Sequence, residues 1–373
     1  MRLVYFSQDY TTHDWRYLNK LAQLIEEVYY LRLEKKKAVL ETRPLPDKVK
    51  LVEWPGGKKE IKGWRELLQL LPALKNILST IQPDIVHCGP VQTCGLLMAL
   101  SGYHPWLLMS WGSDLLRDSE RNWFWKKITQ YTLKRANAIM VDTLAGRKKV
   151  LDLVKNYPAE KILIFPWGVD LSIFKPADFS PIRAKLNWQD KLVIISTRSW
   201  EPIYGVDIIL KAFGQIVKKI TTARLLLLGT GSLASEIQRI IQEQHLKDFV
   251  HIAGQVTQTD LVNYYNASDI YAGASYSDGT SVSLLEAMAC GLPVIVSNIP
   301  TNREWVTDGE NGYLFGPGNA EELAGILSKI SADVSLLKEM GRKNIRIVKE
   351  RADWNKNFQL LIEIYKRIET QKI

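Results

Sequence analysis

Two carboxylates flank a cluster of hydroxyl side chains in the stretch SDGTSVSLLEAMACGLPVIVS, which runs from Ser277 to Ser297. The carboxylates are Asp278 and Glu286, and the pattern predicts a strand that ends before the first and a helix that begins between them. A helix N-terminus presents unpaired N–H groups and a partial positive charge, which favour an anion. Gly279 lets the backbone approach a ligand closely. The stretch could therefore hold a phosphate group while its carboxylates accept hydrogen bonds from ligand hydroxyls.

The same residues allow a purely structural interpretation. Ser283 and Glu286 have the S-x-x-E spacing of a capping box, in which the serine and the glutamate hydrogen-bond to the helix's own amides. Asp278, Gly279, Thr280 and Ser281, however, precede this pair at the carboxyl end of a predicted strand, which is where ligands bind in open α/β sheets. We therefore favour a binding role and expect Glu286 to accept hydrogen bonds from the hydroxyls of a ribose.

Arg198 follows the predicted strand KLVIIST, and a guanidinium at a strand end suits phosphate oxygens because it can donate two parallel hydrogen bonds. The alternative is a surface or linker arginine. Gly229 and Gly231 in LLLLGTGS fit the close approach of a nucleotide, although a single G-x-G is as often a strand-to-helix turn.

Alternating apolar runs and helical patterns predict the elements that position these residues. In the C-terminal half, KLVIIST, ARLLLLG, VHIAG, DIYAGAS and PVIVS are each followed by a helical pattern, the last being NREWVTDG, which predicts βαβ units and a parallel sheet. The N-terminal half alternates in the same way with weaker contrast. We expect two α/β domains, residues 1–170 and 171–353, that face each other across a shared cleft, with a helix at 354–373 that packs back on the first domain.

The charge of the chain is unevenly distributed. Residues 1–170 carry 26 Lys and Arg against 18 Asp and Glu, whereas residues 171–373 carry 23 against 22. A basic half attracts phosphates, anionic lipid or nucleic acid, and no nucleic-acid motif is visible in it. The apolar runs are too short to span a membrane and the start reads as a strand rather than a signal peptide, so we expect a cytosolic protein. The three cysteines lack metal-ligand spacing and are odd in number.

The run Asp278-x7-Glu286, followed by AMACGLPVIVS, an acidic residue at Glu304 and DGENGYLF, resembles the signature of the retaining glycosyltransferases of family 4. The resemblance implies the GT-B architecture, an α/β fold of two facing Rossmann-like domains. It also implies transfer of a sugar from a UDP- or GDP-sugar to a hydroxyl acceptor on a glycan, a lipid-linked or a small molecule, with an α-linkage, as in glycan or cell-envelope biosynthesis. The chain has no Asp-x-Asp signature, so we expect neither a metal nor another cofactor.

The resemblance also assigns roles to individual residues. Glu286 would hold the ribose, Asp278 would contact the transferred sugar in place of the family's glutamate, and Arg198 would grip the diphosphate. The remaining expected donor contacts are Gly229, Gly231, Val256 at the base, Gly279, Thr280, Ser281, Val282 and Ser283. The family's lysine before Gly205 is Tyr204 here, which removes a positive charge from the expected diphosphate site.

The acceptor half departs further from the family. The glycine-rich loop after the first strand is replaced by a segment with His13 and Asp14, which could bind acceptor hydroxyls or cap a helix. In MSWGSDLL, Trp111 replaces the family's histidine and could stack on a ring or belong to the core. The acceptor candidates are His13, Asp14, Trp111, Ser113 and Asp114, of which the last could also serve as a helix cap.

The segment RDSERNWFWKKITQYTLKR combines aromatic residues with Arg121, Lys126, Lys127, Lys134 and Arg135. Such a segment could lie peripherally on an anionic membrane, on its inner face for a cytosolic protein. The alternative is a core helix with a solvated basic face.

Other functions share parts of this pattern. A nucleotide-sugar 2-epimerase has the same architecture, and a degenerate relative could bind a sugar nucleotide without turnover. A glycosidase is less consistent with the pattern, because a carboxylate pair alone does not require a phosphate site.

Overall fold

The structure is a computed structural model that describes residues 1–36 and 41–370. Its chain divides into two compact units, one made of Met1–Phe165 and the chain from Phe358 onward, the other of Pro166–Asn357. Each is an α/β unit built on a parallel sheet, as the sequence predicts.

Within the described residues, seven parallel strands form the sheet of the first unit in the order β3-β2-β1-β4-β5-β6-β7. The strands are β1 (Arg2–Gln8), β2 (Glu27–Leu33), β3 (Val49–Leu51), β4 (Ile85–Gly89), β5 (Trp106–Met109), β6 (Ala138–Val141) and β7 (Ile162–Ile164). The helices are α1 (Thr12–Leu24), α2 (Trp64–Gln69), α3 (Leu71–Ile81), α4 (Leu96–Ser101), α5 (Ser113–Leu116), α6 (Trp123–Arg135) and α7 (Leu144–Leu153). A π-helical turn, Val91–Gly95, precedes α4.

The described part of the second unit has a six-stranded parallel sheet in the order β10-β9-β8-β11-β12-β13. The strands are β8 (Leu192–Ser196), β9 (Ala223–Leu228), β10 (Val250–Gly254), β11 (Ile270–Gly273), β12 (Val294–Ser297) and β13 (Gly312–Phe315). The helices are α8 (Pro181–Leu186), α9 (Val206–Ile216), α10 (Ala234–Glu243), α11 (Gln258–Asn266), α12 (Val282–Ala289), α13 (Ala320–Ile330) and α14 (Val334–Arg351).

Burial explains why these strands read as continuous apolar runs. Val193, Ile194 and Ile195 of β8 are at most 1% exposed, because helices cover both faces of the sheet. Apolar residues on alternate strand positions enter separate clusters: Ile194 packs with α9, whereas Val193 and Ile195 pack with α12. The sheet therefore forms a rigid platform whose carboxyl end carries the loops.

The last helix, α15 (Trp354–Glu369), joins the two units in sequence. Its Tyr365 lies in the first unit, with its Oη 2.5 Å from Nδ1 of His87, and the Phe358 ring lies 5.6 Å from that of Tyr17. Residues 166–170 belong to the second unit, where Val169 forms a bridge with Asp353. The structural boundary thus lies at Pro166, a few residues before the boundary expected from the sequence.

The segment NREWVTDG is not the helix that its pattern suggested. Only Asn302–Glu304 forms a short 3₁₀ turn, and β13 follows it. The Asn311 side chain closes the intervening loop, because its Oδ1 accepts from the Thr307 N–H at 2.8 Å and its Nδ2 donates to the Trp305 carbonyl at 3.0 Å. These tertiary bonds replace the helical ladder. Across the described residues, no helix has the length and apolar character needed to cross a membrane.

Candidate functional site

The candidate site lies where the strand order of the second sheet reverses. From β8 the chain moves outward to β9 on one side, and from β11 it moves outward to β12 on the other, so a crevice opens beyond the carboxyl ends of these two central strands. Arg198 lies just beyond β8, and Asp278 lies in the loop between β11 and α12. The structure brings these two predicted residues into direct contact.

Four contacts hold the Arg198 guanidinium. Its Nη2 lies 2.8 Å from Oδ2 of Asp278, and its Nη1 donates to Oγ of Ser281 at 3.1 Å and of Ser283 at 3.3 Å. The Tyr204 ring covers the guanidinium, with 4.0 Å from Cζ to the ring centroid. The side chains of Arg198 and Asp278 are only 13% and 16% exposed, which strengthens the ion pair relative to one in open solvent.

Burial and pairing act in opposite directions on this ion pair. Burial raises the pKa of Asp278 above its ordinary value, while the Arg198 charge opposes that rise. Burial is the largest influence on the pKa of Arg198 and lowers it, but Asp278 together with Tyr204, Tyr271 and Tyr265 raises the pKa by more, so the net effect is a rise. A guanidinium stays charged at any physiological pH, and we take Asp278 to be ionised at neutral pH because of the 2.8 Å contact. Asp278 therefore balances the Arg198 charge within the chain, and phosphate binding by Arg198 remains a prediction.

The helix α12 begins at Val282 with Ser281 as its N-cap. Ser283 is thus already inside the helix, so it does not form the capping box that its spacing with Glu286 allowed. Its Oγ instead lies 3.0 Å from Oη of Tyr271 and 3.2 Å from Oγ of Ser281. The two serine hydroxyls and Tyr271 form a polar chain that leads to Arg198.

Glu286 is buried on α12, with 7% of its surface exposed. The hydroxyl of Tyr265 lies 3.1 Å from Oε2 of Glu286, 3.2 Å from the Ser283 carbonyl and 3.0 Å from Oγ1 of Thr197. Burial, followed by the charge of Glu286, raises the pKa of Tyr265 well above its usual value, so the phenol keeps its proton and can donate. Tyr265 thereby fixes the orientation of the carboxylate.

Tyr265 and Tyr271 were missed by the sequence analysis. Both lie in apolar patterns, on α11 and β11, that predict core positions, and both rings are indeed buried. Only their hydroxyls reach the site. A tyrosine in place of an aliphatic residue within a buried segment was the available signal, since a buried phenol needs a hydrogen-bond partner.

Contacts within the chain explain why both positions of the LLLLGTGS turn are glycine. Gly229 has φ +96°, and a Cβ there would lie 2.8 Å from the Arg198 carbonyl. A Cβ on Gly231 would lie 2.5 Å from the Trp200 carbonyl. The glycines allow the loop after β9 to pack against the loop that carries Arg198, and contact with a nucleotide remains a prediction.

The other expected donor residues lie in loops that follow strands of the second sheet, or at the start of α12. Gly279, Thr280 and Ser281 are buried in the loop before α12, and Val282 is half-buried at its start. Val256 follows β10 and is half-buried against the core cluster that includes α12. Their contacts with a donor also remain predictions.

Asp14 in the first unit completes a capping box with Thr11, the N-cap of α1. Its Oδ2 accepts from the Thr11 N–H at 2.9 Å, its own N–H donates to Oγ1 of Thr11 at 3.3 Å, and the Tyr5 hydroxyl donates to its Oδ1 at 3.2 Å. Burial raises the pKa of Asp14 to about 6. Of the two roles open to Asp14, the structure realises the cap. The neighbouring His13 is exposed, and acceptor binding by either residue stays a prediction.

Asp114 ties two loops of the first sheet together. Its Oδ1 accepts from Oγ of Ser110 at 2.7 Å and from the Trp111 N–H at 3.0 Å, and its Oδ2 accepts from the Val91 N–H at 3.1 Å. These bonds join the loop after β5 to the turn after β4. Trp111 and Ser113 are half-buried beside it, and their role towards an acceptor remains a prediction.

Among the described residues, no group of three or more His, Cys, Asp or Glu side chains is placed to hold a metal ion. Metal independence itself remains a prediction.

Two family models match this chain: glycosyl transferases group 1 over residues 178–347, and glycosyl transferase 4-like over residues 2–143. The chain belongs to the GT4-type glycosyltransferases of GT-B fold. This confirms the resemblance carried by the run from Asp278 to Glu286 and the α/β fold class of two domains.

Similar proteins support the same classification of this GT4-type chain. The D-inositol 3-phosphate glycosyltransferase of Kineococcus radiotolerans is 25% identical over 257 residues, which are 64% of this chain and 59% of the relative. The chain spans about half the length of the curated relatives that it matches.

Two solved structures share the fold. Sucrose-phosphate synthase from Thermosynechococcus elongatus has a TM-score of 0.81 at 18% identity and covers 100% of both chains. Anabaena HepE in complex with UDP-glucose has a TM-score of 0.78 at 16% identity, covering 98% of this chain and 100% of its own.

Proposed function

We propose that this protein is a retaining glycosyltransferase that moves a sugar from a UDP- or GDP-sugar to a hydroxyl acceptor and forms an α-linkage. The observation that carries the proposal is the arginine at the switch point of the second sheet, held between Asp278 and the hydroxyls of Ser281 and Ser283 at the start of α12. The names of similar proteins, a D-inositol 3-phosphate glycosyltransferase and a structure with UDP-glucose, support this choice of reaction and donor.

The donor would occupy the crevice with its diphosphate on Arg198 and the first amides of α12. A fork-shaped guanidinium and a helix N-terminus both favour phosphate oxygens. Glu286, held by Tyr265, would accept from the ribose hydroxyls, and Asp278 would turn from Arg198 towards the transferred sugar. Gly229, Gly231 and Val256 would approach the nucleoside.

The chemistry would proceed on one face of the sugar. The acceptor oxygen forms a bond to the anomeric carbon as the bond from that carbon to the diphosphate oxygen breaks, and the acceptor's proton passes to the departing phosphate. The protein would then position the two reactants and stabilise the charge that develops on the leaving group. This route needs neither a protein nucleophile nor a metal ion.

The test is incubation with a panel of UDP-, GDP- and ADP-sugars, with and without acceptors, followed by mass spectrometry and by NMR of the anomeric linkage. Release of nucleotide together with an α-linked product is expected for one donor. An isomerised nucleotide sugar made without acceptor would identify an epimerase, and binding without turnover would identify a degenerate relative. Arg183→Ala serves as the control for an Arg198→Ala variant, because the ion pair of Arg183 with Asp269 lies at the amino end of the same sheet, away from the crevice.

We also propose that the acceptor is met at the inner face of an anionic membrane. The excess of Lys and Arg in residues 1–170 supports this. Sedimentation with anionic but not with neutral vesicles is expected, and equal sedimentation with both would contradict the proposal.

A further inference from the structure

An exposed aromatic cluster on the first unit is built from two segments that are far apart in sequence. Trp123 and Phe124 begin α6 and are 75% and 43% exposed. Trp64 begins α2, and its ring centroid lies 5.8 Å from that of Phe124 and 5.5 Å from that of Trp125. We refer to Trp64, Trp123, Phe124 and Trp125 as the aromatic ridge.

The ridge lies at the edge of the core: Trp64 is partly buried against it, whereas Trp123 and Phe124 are exposed. The residues that α6 buries are Thr129, Thr132 and Leu133, all in its later turns, whereas its first turn is open to solvent. Leu68, one helical turn after Trp64, is 46% exposed and extends the apolar surface. The core-helix alternative predicts that the aromatic side chains of α6 turn inward. Tyr131 does pack against the core and Trp125 is half-buried, but Trp123 and Phe124 are exposed.

Basic residues surround the ridge. Residues 62–68 and 121–127 together carry five Lys and Arg and one Glu, and all five basic side chains are exposed: Lys62, Arg65, Arg121, Lys126 and Lys127. The guanidinium of Arg121 lies 5.2 Å from the Trp125 ring. Glu120, which precedes the second segment, is paired with Lys149. The ridge therefore combines apolar rings with a positive rim.

We propose that the aromatic ridge is a membrane-docking surface that inserts Trp123 and Phe124 among the headgroups of a bilayer containing anionic lipid. Tryptophan favours the membrane interface because it is apolar at one end and hydrogen-bonds at the other, and the positive rim complements anionic headgroups. This inference rests on the membrane contact of the proposed function and assigns that contact to two segments rather than to α6 alone. It does not depend on which sugar is transferred.

The test uses co-sedimentation of the full chain with vesicles of phosphatidylcholine, alone or mixed with phosphatidylglycerol. The wild-type protein is expected to bind the mixed vesicles, and Trp123→Ser with Phe124→Ser is expected to weaken that binding about tenfold or more. The matched control is Phe179→Ser, which removes a 71% exposed aromatic ring from the second unit and is expected to leave binding unchanged.

A second pair of variants tests the two-segment assignment. Lys62→Glu with Arg65→Glu is expected to weaken vesicle binding strongly, by about fivefold for each charge removed and more for its reversal. Lys218→Glu with Lys219→Glu makes the same charge change at exposed residues of the second unit and controls for net charge. Equal losses from these two pairs would overturn the assignment, because net charge alone would then explain the binding.

Nucleotide-sugar binding in solution separates this inference from the proposed function. The ridge variants are expected to bind the donor like the wild type, which also shows that they are folded. Wild-type retention that is equal on neutral and mixed vesicles, or unchanged by the Trp123 and Phe124 substitutions, would overturn the docking surface while leaving the transferase untouched.

Discussion

The buried pair of Arg198 and Asp278 can be dismantled one charge at a time, with opposite consequences for ligand binding. Arg198→Ala removes the 2.8 Å ion pair, two hydrogen bonds to serine hydroxyls and the stack on Tyr204. It leaves the carboxylate of Asp278, only 16% exposed, without its counter-charge. Breaking a buried pair in this way lowers the free energy of unfolding by about 3–5 kcal/mol.

The effect on nucleotide binding distinguishes the two partners. Arg198→Ala should weaken binding of a nucleoside diphosphate by about 2–5 kcal/mol, because the phosphate loses its cation. Asp278→Asn should do the reverse and tighten it. Two unit charges about 4 Å apart attract by about 4 kcal/mol at an effective dielectric constant near 20, and the phosphate no longer has to compete with that attraction. After rearrangement of the asparagine, a gain of about tenfold in affinity is expected. Sugar transfer should nevertheless fall, because the variant lacks the carboxylate that we propose contacts the sugar.

The assay combines urea unfolding with calorimetric titration of nucleoside mono- and diphosphates. Arg183→Ala is the matched control, because it also breaks an ion pair of the second unit, at 2.6 Å to Asp269, but at the opposite end of the sheet. It should lower stability and leave diphosphate affinity unchanged. The reasoning is refuted if Arg198→Ala leaves diphosphate affinity at the wild-type value, or if Asp278→Asn weakens it.

Three further outcomes are expected. Tyr204→Lys should lower the unfolding free energy by about 0.5–2 kcal/mol, because the stack on Arg198 is lost. Calorimetry should nevertheless show a higher diphosphate affinity for Tyr204→Lys than for Tyr204→Ala. Equal affinities of the two variants would contradict a charge deficit at this site. Tyr265→Phe should lower the unfolding free energy by about 1.5–3 kcal/mol, because the 3.1 Å hydrogen bond to Glu286 is lost. For the same reason the variant should bind nucleoside diphosphate more weakly but pyrophosphate equally well. Equal losses of affinity for both ligands would argue against a ribose contact. Burial lowers the pKa of His87 to about 3, so the folded imidazole stays neutral while the unfolded one is protonated below about pH 6.5. The unfolding free energy should therefore fall by up to about 1.4 kcal/mol per pH unit from pH 6.5 towards pH 3, and His87→Gln should remove that part of the slope in urea titrations; an unchanged slope would show that other groups cause it.

Membership of the GT4-type glycosyltransferases could be recognised from the sequence because its signature is local. Asp278 and Glu286 lie eight residues apart around a single loop and helix start, so their spacing survives in the sequence regardless of the rest of the fold. The βαβ alternation is visible for the same reason, since strands buried on both faces must be apolar throughout. The pattern failed at NREWVTDG, where side-chain bonds of Asn311 override a helical periodicity.

The candidate site itself could be predicted only in part. The sequence pointed to Arg198 but not to its partners, because the Tyr204 stack and the Asp278 ion pair depend on the path of two loops. It left Asp14 open between a ligand and a cap, and the capping box with Thr11 appears only in the folded helix. Trp64 was not noticed at all, because its ring contacts with Phe124 join segments some sixty residues apart.

The sequence by itself determined the main βαβ alternation, the family and the local carboxylate spacing, since these follow from periodicity and short-range geometry. The tertiary structure decided which loops meet: the order of strands in the second sheet places β8 beside β11 and so brings Arg198 to Asp278, eighty residues away. It also decided that Tyr265 and Tyr271 turn their hydroxyls towards Glu286 and Ser283. The physical reason is that strand order and buried hydrogen bonds are set by packing between distant segments, which leaves no periodic trace along the chain.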